Sequence, residues 1–553
     1  ILNAGTLALT DGGDESVGSV SGAGGVSLSA GSVLTLNTGT SVLSGVISGD
    51  GVLTVDGTSD TTLSGTNTYT GATTLTAGAL KLDGGAAIAD TGAVVVTAGT
   101  LTIITSETIG SLAGAGGTVA LQASTLTTGG NNTTTTYAGN VTGAGGSDLI
   151  KTGTGAMTLS GTVTTGGTLT VQDGTLALSG TNTIAGITVG GGTGDATLSL
   201  QSDGAAGGAL GLITTLGSVI DYADTINNAT PIALNSNDTQ LQVLVGSAEQ
   251  SGVISEIGGA RPLEKIGAGT LVLSAANTYT GATDVSAGTL AVTGTGTLAS
   301  TAINVDSGAT FTTDGGALLA APTITTAGTL TVTGAETIAA LDQTGGTING
   351  SAALGVTGAF TQSGGTTAGS VDINAATFAQ SNGATVASGT SVTSAGAQTL
   401  SGGTIAGSLD GAGAVTAASG TTSLTGTITN AASLTISGGT INETGSGSID
   451  TSTNAIAISA GALTTDGNGI ADDEVVTVSG AGTLTVNGDD TIAALDQTGG
   501  TINGSAALGV TGAFTQSGGT TGGTVDINAA SFAQSNGAIV ALGTSVTSAG
   551  AQT

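Results

Sequence analysis

The chain contains no cysteine, no histidine and no tryptophan among its 553 residues. Without cysteine, neither disulfide bonds nor thiolate metal sites can hold the fold. Because histidine is missing too, the usual Ser-His-Asp and Cys-His nucleophilic sites cannot be built, and zinc loses its common ligands. Carboxylates and hydroxyls are the main groups left for any site chemistry.

Basic residues are also scarce. Lys81, Lys151, Lys265 and Arg261 stand against 36 acidic residues, which gives a net charge of -32. Binding to phosphate backbones or to anionic lipid surfaces depends on clustered Lys and Arg side chains. We therefore predict that neither nucleic acid nor an anionic membrane surface is a partner.

Proline and aromatic residues are few, with 3 Pro, 4 Tyr and 5 Phe, whereas 102 residues are Gly. The hydrophobic share of 38% still argues against disorder, because the sequence is rich in Thr, Val and Ile. No run of 18 apolar residues occurs, and the start ILNAGTLALT has neither an initiator Met nor a basic region. We expect a slice of a longer protein.

A near-exact duplication shows that the chain is modular. Residues 337–399 recur as residues 491–553, an offset of 154 residues. The five exchanges between the copies are Ala368/Gly522, Ser370/Thr524, Thr377/Ser531, Thr385/Ile539 and Ser388/Leu542. Such self-similarity is typical of a repeat array, in which a module adds length rather than a second active site.

The repeat unit is about 19 residues long. Gly-Gly-Thr triplets fall at intervals close to one, two, two, three and one such units, with their threonines at Thr347, Thr366, Thr404, Thr440, Thr501 and Thr520. The duplication offset is close to eight units. Short Thr-Leu-x-Leu segments alternate apolar and polar residues between glycine-rich turns, which favours β-strands. We predict an all-β fold, an elongated right-handed parallel β-helix (β-solenoid), because each coil buries its inner face only against its neighbours.

Breaks in the period divide the chain into five segments. Residues 1–195, 265–336 and 337–490 are predicted to be solenoid, the last of them an eight-coil module, and residues 491–553 begin its second copy. Residues 196–264 are the least periodic and contain Pro231 and Pro262. Since proline cannot donate to a strand ladder, we expect irregular coils or lateral loops there.

Two stretches resemble a known repeat. Residues 265–292 read KIGAGTLVLSAANTYTGATDVSAGTLAV, and residues 62–82 read TLSGTNTYTGATTLTAGALKL. Both resemble the autotransporter-associated β-strand repeat of type V secreted proteins, and residues 151–161 and 178–186 resemble parts of it. The resemblance implies an extracellular or cell-surface location, display by an outer-membrane translocator in the full-length protein, and commonly adhesion, aggregation or biofilm formation.

Lysine, asparagine and tyrosine each recur at matching places in these repeats, as Lys151 and Lys265, Asn67 and Asn277, and Tyr69 and Tyr279. The lysines precede a Gly-x-Gly turn. The asparagines are expected where Asn tolerates left-handed turn geometry and bonds local backbone. The tyrosines are expected to cover the turn, with sugar stacking as the alternative.

An acidic segment provides the candidate metal site. The sequence TTDGNGIADDEV at 464–475 resembles an acidic calcium loop in the spacing of its Asp and Asn residues around a glycine. The candidate calcium ligands are Asp466, Asn468, Asp472, Asp473 and Glu474. An ordinary Asp/Asn/Gly turn is the alternative, because the twelfth position of the loop is Val475 rather than an acid.

Paired acids are the remaining candidates for catalysis. The pairs are Asp472 with Asp473 and Asp489 with Asp490. A glycosidase needs two carboxylates on one cleft, whereas adjacent strand residues point to opposite faces. We interpret both pairs as solvated turn acids and predict that the protein is not an enzyme, with a polysaccharide-active β-helix enzyme as the weakest alternative.

The leading hypothesis is a structural stalk or adhesin on the bacterial surface. Its partners would be a host or abiotic surface, a glycan, or neighbouring copies of itself. The main alternative is a self-associating fibre, because open strand edges and faces lined with Thr, Ser and Asn can pair with copies of themselves. No cofactor other than calcium is expected.

Overall fold

The structure is a computed structural model that describes residues 1–207, 211–381, 383–535 and 537–553. Within these ranges the chain forms β-strands and turns and no helix. Consequently no helix in the described residues is long and apolar enough to span a membrane. The chain divides into two compact units, residues 1–283 and 284–553, and the strand Thr283–Val285 contains the division. This division falls inside the predicted segment 265–336, and the boundaries drawn from the repeats stay predictions.

The first unit consists of short strands, which in chain order are Thr6–Leu9, Asp14–Val17, Gly25–Leu28, Val33–Leu36, Thr40–Leu43, Ile47–Gly49, Val52–Val55, Asp60–Leu63, Thr73–Leu75, Ala79–Leu82, Ala93–Val96, Thr100–Ile103, Glu107–Ile109, Ser111–Ala113, Thr118–Leu121, Thr125–Thr128, Thr135–Tyr137, Asn140–Gly145, Asp148–Lys151, Met157–Leu159, Val163–Val171, Gly174–Leu178, Thr183–Val189, Ala196–Leu200, Leu212–Thr214, Ser218–Tyr222, Asn227–Asn228, Ile232–Leu234, Thr239–Val243, Ser247–Gln250, Ile254–Glu256, Leu263–Ile266 and Thr270–Leu273.

The second unit continues the same pattern, with strands Thr289–Val292, Ala302–Val305, Thr310–Thr313, Thr323–Thr326, Thr329–Val332, Glu336–Ile338, Ala340–Gln343, Thr347–Gly350, Ala353–Gln362, Thr366–Thr367, Asp372–Ser381, Thr385–Val386, Ser391–Ser394, Gln398–Ser401, Gly403–Ile405, Ser408–Asp410, Val415–Ala417, Thr421–Leu424, Thr427–Ala431, Leu434–Ile436, Thr440–Glu443, Ser448–Thr451, Ala455–Ile458, Ala462–Thr465, Val475–Val478, Thr483–Val486, Asp490–Ile492, Ala494–Gln497, Thr501–Gly504, Ala507–Gln516, Thr520–Thr521, Asp526–Gln534, Ile539–Val540 and Ser545–Ser548.

Strands of successive coils pair in parallel within each unit. In the first unit Val33 pairs with Val52, its counterpart in the following repeat. In the second unit Thr347 pairs with Thr366, and Thr366 with Thr385, at the same separation in the sequence. The predicted all-β parallel solenoid, with one repeat to each coil, is therefore confirmed.

The core of each unit is a set of inward columns. Because alternate strand residues face opposite sides, Leu34 and Leu36 of one coil stack on Leu53 and Val55 of the next, and all four are fully buried. The few aromatic rings follow the same rule. Phe360 stacks on Phe378 with ring centroids 5.2 Å apart. Each coil thus buries its apolar residues against two neighbours, which supplies the hydrophobic stabilisation that a single coil lacks.

Residues 196–264 form coils that are longer than the usual repeat. Leu198 pairs with Ile220 and Gln240 pairs with Glu264, and both separations in the sequence exceed that of Val33 and Val52. The strand pairing stays parallel, so the additional residues between Gln240 and Glu264 lie in the turns. Exposed apolar side chains are frequent in these turns, among them Leu216 at 70% and Val245 at 71% exposure.

Candidate functional site

The acidic loop connects the strand Ala462–Thr465 to the strand Val475–Val478. Asp466 and Asn468 are exposed, and Asn468 has a φ of 53°, the left-handed conformation that Asn tolerates in tight turns. Asp472 and Asp473 are exposed as well, and Asp473 accepts a hydrogen bond of 3.0 Å from the Asn454 amide. These four side chains are held by a turn that faces solvent.

Glu474 points the other way, into the interior. Its side chain is fully buried, and its carboxylate accepts hydrogen bonds from the Thr451 backbone N–H and from the Thr451 hydroxyl, the latter at 2.9 Å. Burial raises the pKa of Glu474 above its usual value. Glu474 therefore links two coils and is separated from the exposed acids of the loop.

The loop does not gather its acids around one point. In the part of the chain that the structure describes, no group of three or more His, Cys, Asp or Glu residues could hold a metal ion. Calcium binding by residues 466–474 stays a prediction, and its geometry would require movement of the exposed turn.

Asp490 is buried, so its interpretation as a solvated turn acid was wrong. Its side chain is 3% exposed, and Oδ1 accepts a hydrogen bond of 3.3 Å from the Ile470 N–H of the preceding coil. Burial raises the pKa of Asp490. Its sequence neighbour Asp489 is exposed, so the two acids face different environments and do not form a catalytic pair.

The same arrangement occurs at two other positions of the chain. Glu336 accepts a hydrogen bond of 2.9 Å from the Ala317 N–H, and Glu107 accepts one of 2.8 Å from the Ile88 N–H. In each case the acid is the first residue of a strand that reads Glu-Thr-Ile or Asp-Thr-Ile. Its carboxylate accepts a hydrogen bond from a backbone N–H of a glycine-containing turn one coil earlier. A buried turn N–H needs such a partner, since leaving it unpaired costs about 1–3 kcal/mol.

The repeat lysines are also buried. Lys265 is 2% exposed, and its Nζ donates to the carbonyl oxygens of Ile266 and Gly267 at 2.8 and 2.9 Å. Desolvation lowers the pKa of Lys265 to about 8. Lys151 likewise donates to the Thr152 and Gly153 carbonyls. Both lysines therefore satisfy the acceptors of the following Gly-x-Gly turn.

The repeat asparagines join neighbouring coils. Asn67 is 4% exposed; its Oδ1 accepts from the Ile47 N–H at 2.7 Å, and its Nδ2 donates to the Ala87 carbonyl at 2.7 Å. Asn277 accepts from the Ile254 N–H at 2.9 Å. The expected left-handed conformation was wrong, because neither residue has a positive φ. The amides join neighbouring coils, and the Asn277 Nδ2 also donates to the local Ala275 carbonyl at 3.0 Å, which confirms the expected bond to local backbone for this residue.

The repeat tyrosines lie in the core. Tyr69 and Tyr279 are fully buried, and their hydroxyls bond to the Thr73 and Thr283 hydroxyls at 2.5 and 2.7 Å. Burial raises the pKa of Tyr69 to about 12. Because the rings are inaccessible to a ligand, the alternative of sugar stacking was wrong.

A column of buried glutamines was missed from the sequence. Gln362 Nε2 donates to Gln343 Oε1, and Gln380 Nε2 donates to Gln362 Oε1, both at 3.1 Å. The second module repeats the column, with Gln516 donating to Gln497 at 3.0 Å. The signal was present, because these glutamines recur once in each repeat before a Gly- or Asn-containing turn.

One sheet of the second unit has an outer face of hydroxyls and amides. Its strands pair without register shifts and align one part-exposed side chain from each coil into a column, namely Thr289, Thr310, Thr329, Thr347, Thr366, Thr385, Thr404, Ser423, Asn442, Thr464, Thr485 and Asn503. We call this column the threonine face. Within the described residues of these strands, Glu443 is the only charged residue and it faces inward. The other sheet of this unit carries part-exposed or exposed acids, including Asp342, Asp372 and Asp450.

Comparison with known proteins identifies the repeat. The model of the passenger-associated-transport-repeat matches residues 53–82, 149–178 and 263–292. The three stretches contain buried residues described above, with Lys151 in the second stretch and Lys265 in the third. No curated protein and no solved structure matches the chain significantly.

The class of protein follows from the fold and these repeats together. The chain is a parallel β-solenoid that carries three passenger-associated transport repeats, as expected for an autotransporter passenger. The resemblance seen in the sequence is confirmed. The repeat family implies a location at the cell surface or outside the cell, and a translocator as partner of the full-length protein.

Proposed function

We propose that this passenger is an extracellular bacterial stalk whose threonine face makes adhesive contacts with a host surface, an abiotic surface or a glycan. The absence of charge on that face in a chain of net charge -32 carries the proposal. Bacterial, host and mineral surfaces are commonly anionic, and like charges repel over about one Debye length. An uncharged face lets the stalk approach such a surface without that repulsion.

The side chains of the threonine face are free to bond to a partner. The hydroxyls of Thr329 and Thr485 make no hydrogen bond within the described residues. With coils about 4.8 Å apart, the column repeats hydroxyl and methyl groups at regular intervals along the sheet. Each such contact is weak, but many of them formed at the same time with an extended surface give strong overall binding.

Charge substitutions on matched threonines test this proposal. Thr329→Glu with Thr485→Glu places two carboxylates on the threonine face, whereas Thr325→Glu places one on the acidic sheet at a similarly part-exposed position. We expect cells displaying the double variant to lose most of their attachment to glass and to glycan-coated beads. Cells displaying Thr325→Glu should attach as the wild type does. Equal attachment of all three displayed proteins would refute the proposal.

Self-association is the second candidate function. In the second module Ile539 and Leu542 stand where the first module has the part-exposed Thr385 and the exposed Ser388. Ser388 belongs to a coil with a neighbour on either side and is still exposed, so a side chain at this position faces outward. An outward pair of apolar residues favours contact with another copy of the chain.

Sedimentation separates self-association from adhesion to foreign surfaces. A self-associating chain should form larger species as concentration rises, and more so at high salt, which screens the negative charge. The variant Ile539→Thr with Leu542→Ser restores the residues of the first module and should remain monomeric. A wild type that sediments as a monomer throughout would exclude this function.

We also propose that the protein has no catalytic activity. Asp489 and Asp490 do not share a site, because Asp490 is buried and Asp489 is exposed, and Asp472 and Asp473 lie on an exposed turn. Release of reducing sugar from any member of a broad glycan panel would contradict this proposal.

A further inference from the structure

Glu443 is a second buried acid close to Asp490. It ends the strand Thr440–Glu443 and is fully buried. Its Oε2 accepts a hydrogen bond of 2.8 Å from the Asp466 N–H in the next coil. Its Oε1 has no hydrogen-bond partner among the described residues. One oxygen of this carboxylate is thus inside the unit and unpaired.

Two further unpaired oxygens lie on the next two coils. Asn442 pairs with Thr464, so the next residues, Glu443 and Thr465, lie opposite each other on neighbouring coils. The Thr465 side chain is fully buried and stacks on the Glu443 side chain. Thr465 Oγ1 and Asp490 Oδ2 have no hydrogen-bond partner of ordinary geometry within the described ranges. The Thr465 hydroxyl lies near the Asp490 carboxyl and offsets part of the rise in its pKa that burial causes. The interior therefore contains three unpaired oxygens on consecutive coils.

Gly469 is where the two carboxylates meet. A Cβ at this position would lie 2.2 Å from Glu443 Oε2, so only glycine leaves room for the Glu443 side chain. The Gly469 N–H lies near the Asp490 carboxyl, which accepts the hydrogen bond of the adjacent Ile470 N–H. Glu443 and Asp490 are far apart in the sequence, yet both contact one glycine.

The related positions elsewhere in the chain contain only one acid. Around Glu336, the residue that corresponds to Glu443 is Val292, which pairs with Thr313. The Thr313 hydroxyl donates to Glu336, so that site is satisfied by the protein alone. Around Glu107 the corresponding residue is Leu63. Glu107 Oε2 is also without a partner within the described residues, so the second carboxylate is what distinguishes the site at Asp490.

Two carboxylates in a protein interior need neutralisation, because burial of an unpaired charge is costly. Carboxylate and hydroxyl oxygens suit a hard cation, and Ca²⁺ accepts protein oxygens in flexible geometry, whereas Mg²⁺ keeps several waters. We propose that Glu443, Thr465 and Asp490 bind one calcium ion inside the second unit. The ion would balance both negative charges and connect three coils. This ligand set differs from the exposed acids of the loop 466–474.

Equilibrium dialysis with ⁴⁵Ca measures the stoichiometry directly. The buffer contains 0.15 M KCl and excess Mg²⁺ to suppress weak binding to exposed acids. We expect the wild-type chain to bind one calcium ion and to unfold at a higher temperature when calcium is present, since a ligand that binds only the folded state stabilises it. Absence of binding at millimolar calcium would overturn the proposal.

Variants locate the ion. Glu443→Val copies the residue found at Val292, and Glu443→Gln keeps the shape without the charge, so both are expected to fold. Both should bind no calcium and lose the thermal shift. The matched control Asp472→Ala with Asp473→Ala alters only exposed acids and should still bind one ion. Binding that survives Glu443→Gln, or that the control abolishes, would overturn the proposal.

Discussion

Replacement of Asn67 by alanine should open the stack at one defined place. Asn67 Oδ1 is 2.7 Å from the Ile47 nitrogen and Nδ2 is 2.7 Å from the Ala87 oxygen, and the residue is 4% exposed. The alanine variant leaves one N–H and one C=O buried without a partner. At about 1–3 kcal/mol for each group, the local cost is about 2–6 kcal/mol.

Hydrogen exchange of the Ile47 amide measures this cost. A single free energy of unfolding is not well defined for an array of coils, whereas exchange reports local opening. Since about 1.4 kcal/mol corresponds to a tenfold change, we expect Ile47 protection to fall by a factor between roughly thirty and twenty thousand. Thr66→Ala is the control, because Thr66 is exposed one residue away, and it should change protection little.

The comparison of the two variants decides whether the reasoning holds. If Ile47 keeps its protection in Asn67→Ala to the same extent as in Thr66→Ala, the buried amide does not hold the coils together. A loss of protection spread evenly over distant coils would also contradict a local role.

Two further predictions concern buried ionisable groups. Burial raises the pKa of Glu107 above its usual 4.5, so its contribution to stability is present below pH 4.5 and is lost as pH rises through the higher folded value. The rise in unfolding temperature on acidification from pH 7 to pH 5 should therefore be smaller for Glu107→Gln than for the wild type. An equal rise in both proteins would contradict a raised pKa of Glu107. Amine acetylation followed by peptide mass spectrometry should modify Lys81, whose side chain is 36% exposed, before Lys151 and Lys265, which are 1% and 2% exposed. Equal modification of the three lysines in the folded chain would contradict their burial.

Several features of the site could be read from the sequence only in part. The Lys-x-Gly-x-Gly and Asn-Thr-Tyr patterns indicated the repeat, but the side-chain partners of Asn67 lie one coil away on either side. The glutamine column had a clear period of one glutamine in each repeat. Periodicity shows that residues recur, whereas burial of a polar residue depends on whether the neighbouring coils supply partners for it.

The acidic segment shows where sequence reasoning was insufficient. Asp472, Asp473 and Glu474 are consecutive, yet the first two are exposed and the third is fully buried. The turn conformation that separates them includes Asn468 with a positive φ, which the sequence permits but does not require. The direction of each acid was therefore a property of the folded turn.

The sequence by itself determined the architecture, because a short alternation of apolar and polar residues that returns in every repeat allows only stacked parallel coils to bury the apolar side. It also determined the charge of the chain and the absence of histidine and cysteine chemistry. Only the tertiary structure decided that Glu443 and Asp490 meet at Gly469, and that the acids avoid the threonine face. Coil lengths vary from turn to turn, so contacts between coils depend on the register of the whole stack and not on any fixed spacing.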